Sequence, residues 1–231
     1  MAIPLYLAKT AAEFALSAKQ PDHLAWMACH FSPYGTGLTN LPASLPENAL
    51  LILNDRTPVH GHDPKRIKEI IDELITQNNC CGVLLDFQKP DCSETAKIIQ
   101  ELLTLHWSVC VSDLYAKELD CPVFLPPVPL LVPVEEHIAP WRGREIWLEA
   151  AAESASFTVT GAGCTHSQYQ TEGSHPFYDE QLHCHYRVEL LDDSVRFCLN
   201  RSKADIAKLL EEADSLGVTR AVGLWQELKE E

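Results

Sequence analysis

At 231 residues, 46% of them apolar and 22% charged, the chain has enough core material for a folded α/β unit and lies outside the disordered and fibrous classes. Its 18 basic residues stand against 33 acidic ones, a net charge of −15, which argues against nucleic acid and anionic membrane surfaces as partners because phosphate is bound by Lys and Arg. The nine cysteines are odd in number, and Cys29, Cys81, Cys110, Cys121 and Cys198 lie in or beside apolar runs, so a buried free thiol is expected at each rather than a disulfide.

Short apolar runs predict strands at residues 3–7, 24–30 and 50–54, with an unpatterned connection at 38–48. Residues 63–77 predict an amphipathic helix, with Ile67, Ile70, Ile71, Leu74 and Ile75 on one face behind the start signal Asp63-Pro64. A strand at 82–87 follows, then a helix at 93–105 capped by Ser93 and carrying Ala96, Ile98, Ile99, Leu102 and Leu103 inward. Strands at 107–112, 122–125 and 145–149 come next, separated by a thin helix at 113–120 and the proline-rich stretch 122–133. Residues 182–190 and 194–199 alternate in polarity around Leu191-Asp192-Asp193 and predict an antiparallel hairpin. A helix at 202–216 stops at Gly217, and a last strand runs over 219–225.

Eight strands alternating with helices imply parallel pairing and a closed ring. The expected fold is a shortened or irregular TIM-type (β/α)8 barrel in one domain, 1–231, with a β-hairpin inserted at about 182–199 before the last helix. The opening Met-Ala-Ile-Pro lacks the basic and apolar regions of a signal peptide, and no apolar run reaches the roughly 18–20 residues of a membrane span. A cytoplasmic protein is expected.

Three histidine motifs, His60-Gly-His62-Asp63, Cys164-Thr-His166 and His183-Cys-His185, lack a further ligand at a convincing interval and read as solvated loop or polar hairpin residues. Thr160-Gly-Ala-Gly163 lacks the third glycine and the following helix of a dinucleotide fingerprint and reads as a turn. Neither a metal nor a cofactor is expected.

Two stretches resemble glycoside hydrolase family 18, the chitinase family, especially its spore-cortex and germination-type members. One is the helix from Arg66 leading into Cys81-Gly-Val-Leu-Leu-Asp-Phe-Gln88, similar to the family's fourth strand with its D-x-x-D-x-D-x-E signature. The other is Tyr178-Asp179-Glu180, the hairpin, the helix at 202–216 and Ala221-Val-Gly-Leu-Trp-Gln-Glu-Leu228, similar to the family's last βα unit. A weaker likeness is Phe31-Ser-Pro-Tyr-Gly-Thr-Gly-Leu38 to the exit of the second strand. On the signature the four acidic positions read Cys81, Leu84, Asp86 and Gln88, so only Asp86 is kept. The family's final Glu protonates the glycosidic oxygen, and a Gln has no proton to release near neutral pH. The family's Met-x-Tyr-x-Asp element also has no counterpart in the apolar Val123-Phe-Leu-Pro-Pro-Val-Pro129.

In a parallel barrel the functional groups stand at the C-terminal ends of the strands, which selects Tyr34, Asp55, Asp86, Gln88, Asp113, Glu149 and Trp225 as candidate ligand-binding residues. The resemblance implies that Asp86 is a vestige of the catalytic set, that Gln88 stands where the acid was, and that Trp225 is a sugar-stacking floor. The expectation is a family-18-like protein without hydrolase activity that binds an N-acetylglucosamine-containing glycan or another small ligand. The alternatives are a hydrolase with relocated carboxylates, Asp86 with Asp55, Asp113 or Glu149, and a non-catalytic interaction barrel. The sequence sets no oligomeric state.

Overall fold

The structure, a computed structural model, describes residues 3–17, 19–35, 37–90, 93–168 and 175–229. Strand β1 (Leu5–Lys9) leads into a short helix α1 (Ala11–Leu16), closed by a capping box in which the Glu13 N–H donates to Thr10 Oγ1 and the Thr10 N–H donates back to the Glu13 carboxylate. Strands β2 (Leu24–Phe31), β3 (Leu38–Thr39) and β4 (Leu50–Asn54) precede α2 (Pro64–Asn78). The carboxylate of Asp63 caps α2, Pro64 occupies the first turn, and Asn79, left-handed at φ 51°, ends it. Its five predicted apolar residues are all buried.

The alternation continues through β5 (Gly82–Asp86), α3 (Ser93–Leu102), β6 (Val109–Ser112), α4 (Asp113–Ala116), β7 (Val123–Leu125), α5 (Val134–Ile138) and β8 (Ile146–Ala150). Five antiparallel strands interrupt it: β9 (Glu153–Thr160), β10 (Gly163–Gln168), β11 (Phe177–Asp179), β12 (Cys184–Leu191) and β13 (Ser194–Arg201). Helix α6 (Lys203–Ser215), strand β14 (Val218–Leu224) and a single turn, α7 (Trp225–Leu228), follow.

Strands β1, β2, β4, β5, β6, β7, β8 and β14 pair in parallel in that order, and β14 pairs back onto β1. The ring closes as a TIM-type (β/α)8 barrel. Each strand buries both faces, which is why it reads as a continuous apolar run. One set of side chains, including Tyr6, Leu50, Ile52, Leu84, Cys110, Phe124 and Trp147, fills the inside of the ring. The other set packs outward against α2, α3 and α6. Among the described residues no helix is long and apolar enough to cross a membrane.

All eight predicted strands form, each displaced by no more than two residues at either end. The predicted hairpin is present as β12 and β13, but it is the centre of a larger structure: a five-stranded sheet in the order β10-β9-β13-β12-β11, rooted between β8 and α6. The predicted thin helix at 113–120 shrinks to the one turn of α4, and α1 and α5 were not foreseen.

Cross-strand partners share a sheet face. Val188, Phe197 and Phe157 therefore stand side by side, as do Leu190, Val195 and Val159. The inner end of this apolar face, Ala155 and Leu199, is buried against Leu130 of the loop after β7. Arg201 fastens the junction. It is 2% exposed, and its guanidinium donates to the carbonyls of Val128 and Leu182. A buried guanidinium needs such acceptors, so the sheet, the proline-rich loop and the approach to β12 are tied at one point.

Candidate functional site at the barrel mouth

The C-terminal ends of β2, β4 and β5 carry a polar row. His30 is in register with Asn54, and Asn54 with Asp86. Asn54 and Asp86 end their strands and His30 stands one residue before the end of β2, where the ring stops being core. The imidazole Nδ1 of His30 lies 3.2 Å from Asn54 Oδ1, which orients the ring. Gln88 lies two residues beyond Asp86, and its side-chain N–H donates to Asp86 Oδ1 at 2.5 Å. Asp55, 4% exposed, accepts from the backbone N–H groups of Gln88 (3.1 Å) and Lys89 (2.8 Å). It braces the loop that carries Gln88, and both of its oxygens are spent doing so.

Glu149, on β8, lines the same small cavity as Asp86. Burial pushes its carboxyl up to about 7, helped by the negative charges of Asp86, Glu227 and Glu153. Asp86 is also raised, first by burial and then by Asp55, against the lowering effect of the Gln88 hydrogen bond. Two carboxyl groups thus share a poorly solvated space, and Glu149 holds a proton close to neutral pH. The cavity between them has a volume of about 40 Å³, room for a water molecule and not for a sugar ring.

Two larger spaces adjoin it. Met27 separates it from a pocket of about 270 Å³ walled by His30, Asn54, Asn40 and Arg56. On the other side, beyond β8, a groove of about 940 Å³ runs between the proline-rich loop (Pro127, Leu130) and the inserted sheet (Glu153, Phe157, His166). The rings of Phe157 and His166 lie 5.0 Å apart. Glu153, whose carboxyl is raised chiefly by burial, stands where the groove meets the mouth.

Of the residues chosen from the sequence, the structure brings Asp86, Gln88 and Glu149 together, with Asp55 as the brace behind Gln88. Trp225 opens α7 at the same end of the barrel as Asp86, but its ring carries the ammonium of Lys9, 3.7 Å from the ring centre. Lys9 is fully buried and also donates to Ser17 Oγ and Gln20 Oε1, and Trp225 is partly exposed. Tyr34, 86% exposed on the loop after β2, and Asp113, at the start of α4, do not line the cavity. Sequence reasoning missed His30, Asn54 and Glu153. For the first two a signal was present: each is a polar residue at or next to the end of an apolar strand, as Asp86 is.

No family profile matches the sequence, and no curated protein is similar to it. Its backbone is similar to solved structures at low identity. The spore cortex-lytic enzyme SleL of Bacillus cereus shares 8% identity at a TM-score of 0.54, over 96% of this chain and 70% of that one. A chitinase of Chromobacterium violaceum shares 11% at 0.53, over 99% and 98% of the two chains. The chitinase ChiW of a Paenibacillus species shares 10% at 0.57, over 99% of this chain and 43% of that one. At such identities the likeness speaks for the fold alone.

Proposed function

We propose that this chain is a saccharide-binding barrel of the chitinase-like fold that does not hydrolyse by the family-18 route. One observation carries this reading: Gln88, aligned with the family's acid, donates its amide N–H to Asp86, the one acidic signature position that is kept. An amide in that place holds shape and hydrogen bonds but supplies no proton, and loss of a positioned general acid costs on the order of 10²–10⁴-fold in rate. The ligand would lie in the groove rather than in the mouth. About 940 Å³ is within the usual range for small-ligand sites, and Phe157, Leu130 and Pro127 offer the flat apolar contact that pyranose rings take, with Glu153 to accept from hydroxyls. Glycans containing N-acetylglucosamine are the first ligands to try, because the neighbours in fold are a chitinase and a cortex-lytic enzyme.

Calorimetry with N-acetylglucosamine oligomers tests it. Binding is expected for the native chain, with a loss of about tenfold in Phe157→Ala and little change in Trp225→Ala. No heat at millimolar ligand would remove the reading.

A second reading is favoured by one feature, the position of Glu149. A carboxyl held at about 7 beside a second carboxyl is what a general acid needs, and it would make the mouth a relocated hydrolytic centre. Turnover of chromogenic chito-oligosaccharides that vanishes in Glu149→Gln and in Asp86→Asn would establish it. The expected outcome is no turnover above background in any of the three proteins.

A further inference from the structure

The pocket walled by His30, Asn54, Asn40 and Arg56 differs in kind from the mouth it adjoins. No carboxylate lines it, although the chain carries 33 acidic residues against 18 basic ones. Arg66, Arg142, Arg187 and Arg196 each pair with a glutamate. Arg56 lines the pocket, is exposed, and among the described residues has no carboxylate within ion-pair distance. The nearest carboxylate in sequence, Asp55, is turned to the backbone of Gln88 and Lys89 and leaves Arg56 unneutralised. A second cation stands by: Lys89 Nζ donates to the carbonyls of Asp55 and Arg56. His30 Nδ1–H donates to Asn54 Oδ1, which also accepts the Arg56 backbone N–H, so Nε2 is left as an acceptor for a hydroxyl, and the Asn40 main-chain carbonyl is held by the Trp26 indole N–H at 3.2 Å.

We propose that this pocket, of about 270 Å³, holds an oxyanion substituent of the ligand, so that the barrel selects acidic over neutral saccharides. The inference rests on the saccharide reading and names the ligand class for the same end of the barrel. The Arg56 guanidinium and the asparagine amides offer donors to a carboxylate or phosphate, while the Asp86 carboxylate across Met27 would repel the same group.

The experiment compares glucose, glucuronate and glucose 6-phosphate by calorimetry on the native chain, Arg56→Gln, His30→Gln and Phe157→Ala. An acidic sugar is expected to bind about tenfold or more tightly than glucose, the gain of one charge-assisted contact, and to lose that advantage at high salt. Whichever of the two acids depends on Arg56 identifies the substituent. Arg56→Gln should abolish the preference with no change in melting temperature, since Arg56 is exposed; His30→Gln, which loses only an acceptor for hydroxyls, should weaken all three sugars alike; Phe157→Ala, on the far side of the mouth, should leave the preference unchanged. Equal affinity for glucose and both acids, or a preference that survives Arg56→Gln, overturns the subsite and leaves the groove reading standing. Absence of binding by all three sugars and by N-acetylglucosamine oligomers overturns both.

Discussion

The two ends of the barrel interior solve the problem of buried polar groups in opposite ways. At the N-terminal end, Arg220 donates to the Cys81 sulfur at 3.5 Å and lies over the Trp147 ring at 4.5 Å. The Trp147 indole donates to Glu145, and the Cys81 thiol to the Tyr6 hydroxyl, whose own pKa burial and Cys81 raise to about 12. Every group there has a partner of suitable chemistry. At the C-terminal end, two carboxyls face one cavity, each raised by burial and by a neighbouring carboxylate. The first arrangement lowers the energy of the fold and the second raises it. A parallel barrel tolerates the second only at the end where strands give way to loops, which is where strain of this sort is put to use.

The comparison breaks most clearly on Trp147. It is 0% exposed and the largest side chain of the interior, so Trp147→Ala should cost about 3–5 kcal/mol in urea denaturation. A loss under about 1 kcal/mol would mean that the lower barrel is not a packed core.

Glu149→Gln should act with the opposite sign. In the folded chain this carboxyl titrates at about 7 against an ordinary value of 4.5, so the folded state binds the proton more tightly than the unfolded one. Stability must then fall as pH rises from about 4.5 to about 7 and stay level above. The substitution should be nearly neutral at pH 4 and stabilising by roughly 2 kcal/mol at pH 8, after allowance for partial exposure. A destabilised variant at pH 8 would show that the mouth carboxyls are paired after all.

The smallest effect sharpens the contrast at the lower end. Arg220→Met removes a charge from a half-buried site, yet it should destabilise by about 1 kcal/mol, because the guanidinium is matched by sulfur and an aromatic face. Stabilisation instead would place Arg220 in the same class as Glu149.

The barrel was legible because its strands bury both faces and its long helices one, so apolar runs and 3.6-residue stripes mark them directly. The inserted sheet was half legible. Strands β12 and β13 flank an acidic turn, whereas β9 alternates Ser154, Ser156 and Thr158 with residues as small as Ala155, a weak contrast between faces. In the site, Asp86 and Glu149 could be chosen because both end barrel strands. The near-neutral pKa of Glu149 could not be read, since it comes first from burial and then from residues 86 and 227, which meet it only in three dimensions. The ammonium on the Trp225 ring could not be read for the same reason: it comes from β1, at the far end of the sequence.

The seam of the ring has a kinetic consequence. Residues 5–8 on β1 pair with 221–224 on β14, so closure joins segments separated by nearly the whole chain. Between β8 and β14 the chain also makes the antiparallel sheet that Arg201 ties to the proline-rich loop, which lengthens the connection to the last strand. Contacts of such long sequence separation repay their loop-closure entropy only late, and until then β1 and β8 present bare strand edges. A ring still open between β1 and β8, with seven strands in place, should therefore associate edge to edge during refolding, to an extent that grows with protein concentration.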